Sequence, residues 1–122
     1  MTGGQHGSSR VQGDRLNIVS QERISMILGF AMEDADERGK TIAFPFTAHQ
    51  VVRVYCFKEH PDFYGDGLWF QLADGAIFNC LGEREKVRKS CFKGAVEGQE
   101  ARAIATMVIA KLDGFKGEDH VD

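Results

Sequence analysis

Two alternating apolar runs, Leu68 to Ala73 and Ala76 to Leu81, flank a single Asp74-Gly75 pair, and this pattern predicts a β-hairpin. Asp-Gly supplies the positive φ angles of a two-residue type I′ turn, whose twist matches the strands on either side. In that register Leu72 opposes Ile77, Phe70 opposes Asn79 and Leu68 opposes Leu81 on one face, with Gln71 opposite Phe78 and Trp69 opposite Cys80 on the other. Upstream, Val51 to Phe57 is β-branched and aromatic throughout, and reads as a strand with Val52, Val54 and Cys56 on one face and Val51, Arg53, Tyr55 and Phe57 on the other. Thr41 to Phe46 is a shorter apolar run interrupted by Pro45, which points to an edge strand or a bend. His60 to Gly67 is rich in turn formers and is expected to be a loop.

Helical spacing appears twice. Ile24, Ile27, Leu28, Ala31 and Ala35 recur on one face, preceded by Asn17 and Ser20 as candidate caps and followed by Gly39, so a helix is predicted to about Arg38. Met26 and Phe30 fall outside that stripe and give the helix more apolar surface than one contact needs. Ala101, Ile104, Ala105, Val108, Ile109 and Leu112 define a second helix ending at Gly114. Between them, Glu83 to Phe92 reads as a short charged helix with Val87 and Cys91 inward; an alternating strand is the other reading.

This order predicts an α+β, two-layer domain: an N-terminal helix, a three- to four-stranded antiparallel sheet with its hairpin at Asp74-Gly75, then C-terminal helices. The domain is placed at residues 17–115. Residues 1–16 are Gly- and Ser-rich with few apolar anchors and are expected to form a flexible tail, as are residues 116–122. Met1 to Gln5 also resemble the start of a common phage-derived expression tag.

Composition narrows the picture further. At 122 residues with 43% hydrophobic side chains, the chain is long enough to bury one continuous core without a metal or disulfide staple. A net charge of −3 gives no global attraction to nucleic acid or to anionic lipid. No apolar run is long enough to span a bilayer, and no secretory signal pattern is present, so a cytoplasmic location is expected. Cys56, Cys80 and Cys91 are an odd number of thiols, two of them among apolar strand residues, which fits a reducing compartment; a Cys56–Cys80 bridge is the alternative.

Motifs that carry chemistry are sparse. Cys56-x-x-x-His60 has a metal-ligand spacing but lacks a second pair. Asp62, Asp66 and Gly67 fit the start of a calcium loop, yet Tyr64 holds its third position and Ala73 its twelfth, where a bidentate Glu is required. Cys91 is the thiol nearest to cations, with no base fixed beside it by spacing. No Gly-rich phosphate loop joins a strand to a helix. Catalytic residues, a metal site and a cofactor are therefore not predicted.

What remains are surfaces. Glu33, Asp34, Asp36 and Glu37 crowd the C-terminal end of the first helix, against its macrodipole. Arg84, Lys86, Arg88, Lys89 and Lys93 are offset by Glu83 and Glu85, leaving a local excess of three positive charges. Both hairpin faces carry bulky apolar groups. The leading expectation is thus a small non-enzymatic protein-interaction or regulatory module. It would act through an exposed sheet face and the 60–67 loop, with Tyr64, Phe63, Trp69, Phe78 and Tyr55 as contacts and a homodimer among its forms. The alternative is a small-molecule or nucleic-acid binder using the basic 84–93 segment with Arg53, Tyr55 and Asn79.

Overall fold

The computed structural model describes residues 19–118 and confirms an α+β architecture. Helix α1 spans Gln21–Arg38. It starts where Ser20 Oγ accepts the backbone N–H of Arg23 at 3.2 Å, and stops at Gly39, whose φ of 58° turns the chain out of the helix. Its buried face is Ile24, Ile27, Leu28, Ala31 and Ala35, the stripe read from the spacing.

After a 3-10 turn at Ala48–Gln50 come strands β1, Val51–His60, and β2, Phe63–Leu72. They form one long antiparallel hairpin reversed at Pro61-Asp62, with His60 opposite Phe63. The expected 60–67 loop is thus corrected: Pro61 and Asp62 make the turn, and Phe63 to Gly67 continue the strand. A bulge between Val51 and Arg53 shifts the alternation of β1, so Val51 and Val54 both face the core while Val52 is exposed.

The second hairpin exists, but in a different register. Strand β3 is only Ile77–Phe78 and pairs Phe70 with Phe78 and Gln71 with Ile77, one residue away from the predicted pairing. The turn is wider than two residues: Leu72 N–H donates to Ala76 O, Gly75 N–H donates to Leu72 O, and Asp74 Oδ1 accepts Ala76 N–H. Gly75 at φ 94° then occupies the left-handed position of a three-residue loop. Because side chains alternate with period two, this slip exchanges the faces: Phe78 joins the main core beside Phe46, with ring centroids 5.0 Å apart, and Ile77 joins Tyr55 and Trp69.

Residues 83–92 are not a helix. The segment is largely extended, with an isolated bridge from Arg84 to Phe78, a 3-10 turn at Lys89–Cys91 and strand β4 at Phe92–Lys93. Strand β5, Val96–Glu97, follows, and both pair with the free edge of β1. The sheet therefore has five strands, in the order β3-β2-β1-β4 with β5 also on β1. Among the described residues one C-terminal helix, α2, follows and spans Gly98–Leu112.

Helices α1 and α2 cover one sheet face, burying Val54, Cys56, Leu68 and Phe70. The 84–92 segment covers the other, where Tyr55, Trp69, Ile77 and Phe92 form a second core flanked by Val87 and Cys91. Lys116 to Glu118, assigned from sequence to a tail, are tied down: Thr41 bridges Lys116, Gly117 N–H donates to Lys40 O at 3.0 Å, and Glu118 N–H donates to Asp36. The tail at residues 1–16 lies outside the described residues.

Candidate functional site

The aromatic residues expected on an open sheet face separate into two groups. Trp69 is only 6% exposed and Tyr55 is equally sealed, because Phe92 packs on both rings at 5.5 and 5.7 Å and the 84–92 segment lies over them. Phe78 is half-buried against Phe46. An exposed sheet face built on these three is therefore corrected. Phe63 and Tyr64 do reach solvent, Tyr64 at 67% exposure.

The open apolar surface lies at the sheet edge. Phe30 is 60% exposed, and Met26, one turn earlier on the same helix, is also exposed. Phe30, Ile27 and Ala31 from α1 and Phe63, Leu68 and Trp69 from β2 line a groove of about 410 Å³, to which Asn79, Cys80 and Leu81 also contribute. Two carboxylates, Asp34 and Asp66, complete its lining, and no Lys or Arg is among its lining residues. Asp66 is held by Arg23 at 2.9 Å, and the same guanidinium nitrogen donates to the Cys56 carbonyl, which anchors the start of α1 to the sheet.

Local sequence explains the shape. Gly67 has no side chain because Trp69 occupies that space: a Cβ there would lie 2.7 Å from the indole. Gly65 similarly sits beside the Phe63 ring, and Phe63 meets Trp69 edge-on at 6.4 Å. Lys58 Nζ lies 5.4 Å from the Phe63 centroid while paired to Glu85 at 2.9 Å, which fixes the ring from behind. Asn79 ends β3: its Oδ1 accepts the N–H groups of Leu81 and Glu83, turning the chain away from β2.

Other predicted groups are engaged elsewhere. Arg53 donates to Glu97 and Gln71, and Tyr55 OH donates to the same Gln71 oxygen, so this network satisfies the buried Gln71. Asn79 bonds Glu83 and Glu85, and Arg53 and Asn79 do not converge on one pocket. In the acidic patch, Asp34 lines the groove, Asp36 holds Glu118, and Glu33 and Glu37 are exposed. In the basic patch, Arg84, Lys86 and Lys89 surround a separate hollow with Gly75 to Ile77, while Lys93 pairs with Glu59 and Arg88 is exposed. Burial pushes the Cys80 thiol up to about 12, and raises that of Cys56, whose Sγ donates to Gly94 O. All three cysteines are free, and among the described residues no His, Cys, Asp or Glu cluster has the form of a metal site.

Glu83 links the helix end to the Asn79 turn. Hydrogen bonds from Arg38 hold its carboxyl below the ordinary glutamate range. A carboxyl with a depressed folded pKa contributes stability that is complete above its unfolded value, near about 4.3, and that is lost as pH falls through the lower folded value. Glu83→Gln is expected to remove this contribution. The unfolding free energies of the two proteins, from denaturant titration, should differ near neutrality by less than ~1 kcal/mol because the pair is solvent-screened, and converge in acid. A difference that grows on acidification would refute the linkage.

Compared with protein-family models, with curated proteins and with solved structures, the chain matches none. The groove is therefore judged on its own chemistry. Its sequence signal was partial: Met26 and Phe30 stood outside the helical stripe, and Phe63 and Tyr64 were identified, but nothing local joined the two segments.

Proposed function

We propose that this chain is a small non-enzymatic protein-interaction module whose contact surface is the α1–β2 groove lined by Phe30 and Phe63, extended by the exposed Met26 one helical turn before Phe30 and Tyr64 next to Phe63. The observation that carries the reading is the exposure of two phenylalanines lining one concave apolar site, rather than as scattered surface residues. Large aromatics in a partly enclosed position are the residues that dominate binding energy at protein interfaces. A regulatory role follows the same logic, since the surface has shape and charge but no aligned nucleophile and base.

A photoreactive amino acid at position 30 or 64, expressed in native host cells, is expected to give covalent adducts with a partner protein. The same group at Ala103, exposed on α2, should give none. Phe30→Asp is expected to weaken capture of that partner by about tenfold or more while leaving the fold intact. Adducts from position 103 but not from 30 or 64 would remove the groove as the contact surface.

A second reading rests on Arg84, Lys86 and Lys89, which line a hollow of about 330 Å³ beside the Gly75 turn together with Glu85, whose charge is taken up by Lys58 at 2.9 Å. Three cations around a concave site suit a phosphate-bearing ligand, and such binding falls steeply with salt. Salt-sensitive binding of a nucleic acid that is abolished by Lys86→Glu with Lys89→Glu would favour this reading over the groove.

A further inference from the structure

We infer that the groove takes an extended, cation-bearing peptide segment of a partner protein, added as a strand along the open edge of β2; the inference rests on the protein-interaction reading above. Its basis is the backbone. Strand β2 is paired with β1 from Phe63 to Leu72, but β3 covers only Phe70 and Gln71 on the opposite side. The Leu68 carbonyl meets the Cys80 thiol at 3.6 Å, and from Phe63 to Gly67 no strand lies on that side among the described residues. Backbone N–H and C=O groups of a strand alternate between its two edges, so every second residue of this stretch presents a donor and an acceptor to the groove. The Asn79 turn diverts the chain at the point where a longer β3 would have supplied the partner.

The groove walls have the symmetry that an added strand requires. Its side chains would alternate between the two sheet faces. Ile27, Phe30 and Ala31 wait on the helical face, and Phe63 with the edge of Trp69 on the other. Gly65 and Gly67 leave room on that face for the Phe63 and Trp69 rings to fold back over the strand, so that the rings flank the edge. The open stretch from Phe63 to Gly67 is about 13 Å long, enough for about four or five residues at ~3.3 Å each. Main-chain pairing supplies affinity in this mode, and pockets for alternate side chains supply specificity.

Charge identifies the guest. Asp34 and Asp66 are the charged residues of the lining. Each already meets an arginine of the chain, Arg38 at 3.5 Å and Arg23 at 2.9 Å, but both stay about half-exposed, Arg38 is shared with Glu83, and Glu33 and Glu37 stand exposed further along α1, so the acidic groups outnumber their partners. Lys or Arg within an otherwise apolar segment complements this rim. A second copy of the chain fits less well, because antiparallel pairing of two β2 edges about their middle would bring two acidic rims together.

Selection of random ten-residue displayed peptides on the full chain, with Phe30→Asp as the counter-selecting surface, tests the inference. The expected winners alternate apolar residues with period two and carry Lys or Arg. For the best synthetic peptide, N-methylation of the backbone at alternate positions should weaken binding tenfold or more, and methylation at the intervening positions should have little effect. Amide exchange should slow at residues 63–67 on binding. Winners with helical spacing, or binding that depends on Phe30 but ignores N-methylation, would overturn strand addition and leave the docking surface in place. Selection no better than on Phe30→Asp would overturn it too, as would a dimer that Phe30→Asp dissociates.

Discussion

Gly82→Ala is expected to lower the unfolding free energy by about 3 kcal/mol or more. Gly82 sits at φ 79°, a left-handed conformation that costs an L-residue roughly 1–2 kcal/mol. Conformation is the smaller part of the effect. A Cβ there would overlap the carbonyl oxygen of Ala43 and its carbon, and would lie 3.3 Å from Phe44 Cα. These are backbone atoms that no rotamer change can move aside. The Asn79–Glu83 turn or the 42–44 segment must shift, and the latter is fixed by Ile42 N–H to Phe115 O and by Phe44 N–H to Asp113. Gly75→Ala is the control, because Gly75 also has positive φ but a Cβ there meets nothing within 4 Å. Its cost should be near 1 kcal/mol. Urea unfolding followed by Trp69 fluorescence separates the two, and equal losses would show that the 79–82 turn does not pack on Ala43.

Trp69→Ala should cost about 3–5 kcal/mol, as expected for truncating a buried aromatic, out of a total that for domains of this size is ~5–15 kcal/mol. The ring is shared among Phe92, Phe63 and the bare Cα of Gly67, so its removal leaves a cavity lined by groups that cannot follow it. Phe30→Ala, at an exposed position, should change stability by less than ~0.5 kcal/mol. Because Trp69 is the chain's one tryptophan, the comparison needs circular dichroism as its readout. If Trp69→Ala proved harmless to folding, the second core would not exist and the sheet face would be open after all.

The contrast between these two residues shows what the sequence could specify. Helix α1 was legible in full, because its cap, stripe and stop are each local: Ser20, the Ile24-to-Ala35 spacing and Gly39 act within a few residues of one another. Hairpin β2–β3 was legible as a hairpin but not in register. Ile77 and Phe78 are both apolar, so either parity buries a large side chain, and only the Asp74 bond to Ala76 N–H and the Gly75 conformation decide between them. Residues 83–92 were misread because their structure is set by distant partners. Lys58 captures Glu85, Arg84 bridges Phe78, and Phe92 is drawn into the rings of Tyr55 and Trp69. Once that strap crosses the sheet, Trp69 and Tyr55 become interior residues, and the accessible aromatics are those at the rim. The groove itself joins α1, which ends at Arg38, to a strand that begins only at Phe63, a juxtaposition that no local pattern encodes.

Asp66 gives the open β2 edge one last consequence. A bare ribbon border invites copies of a protein to stack into fibrils, and a charge planted on that border is a common natural deterrent. This aspartate, half-exposed and moored to Arg23, sets an ion pair at that border, so a neighbouring ribbon approaching it would meet charge as well as bare backbone.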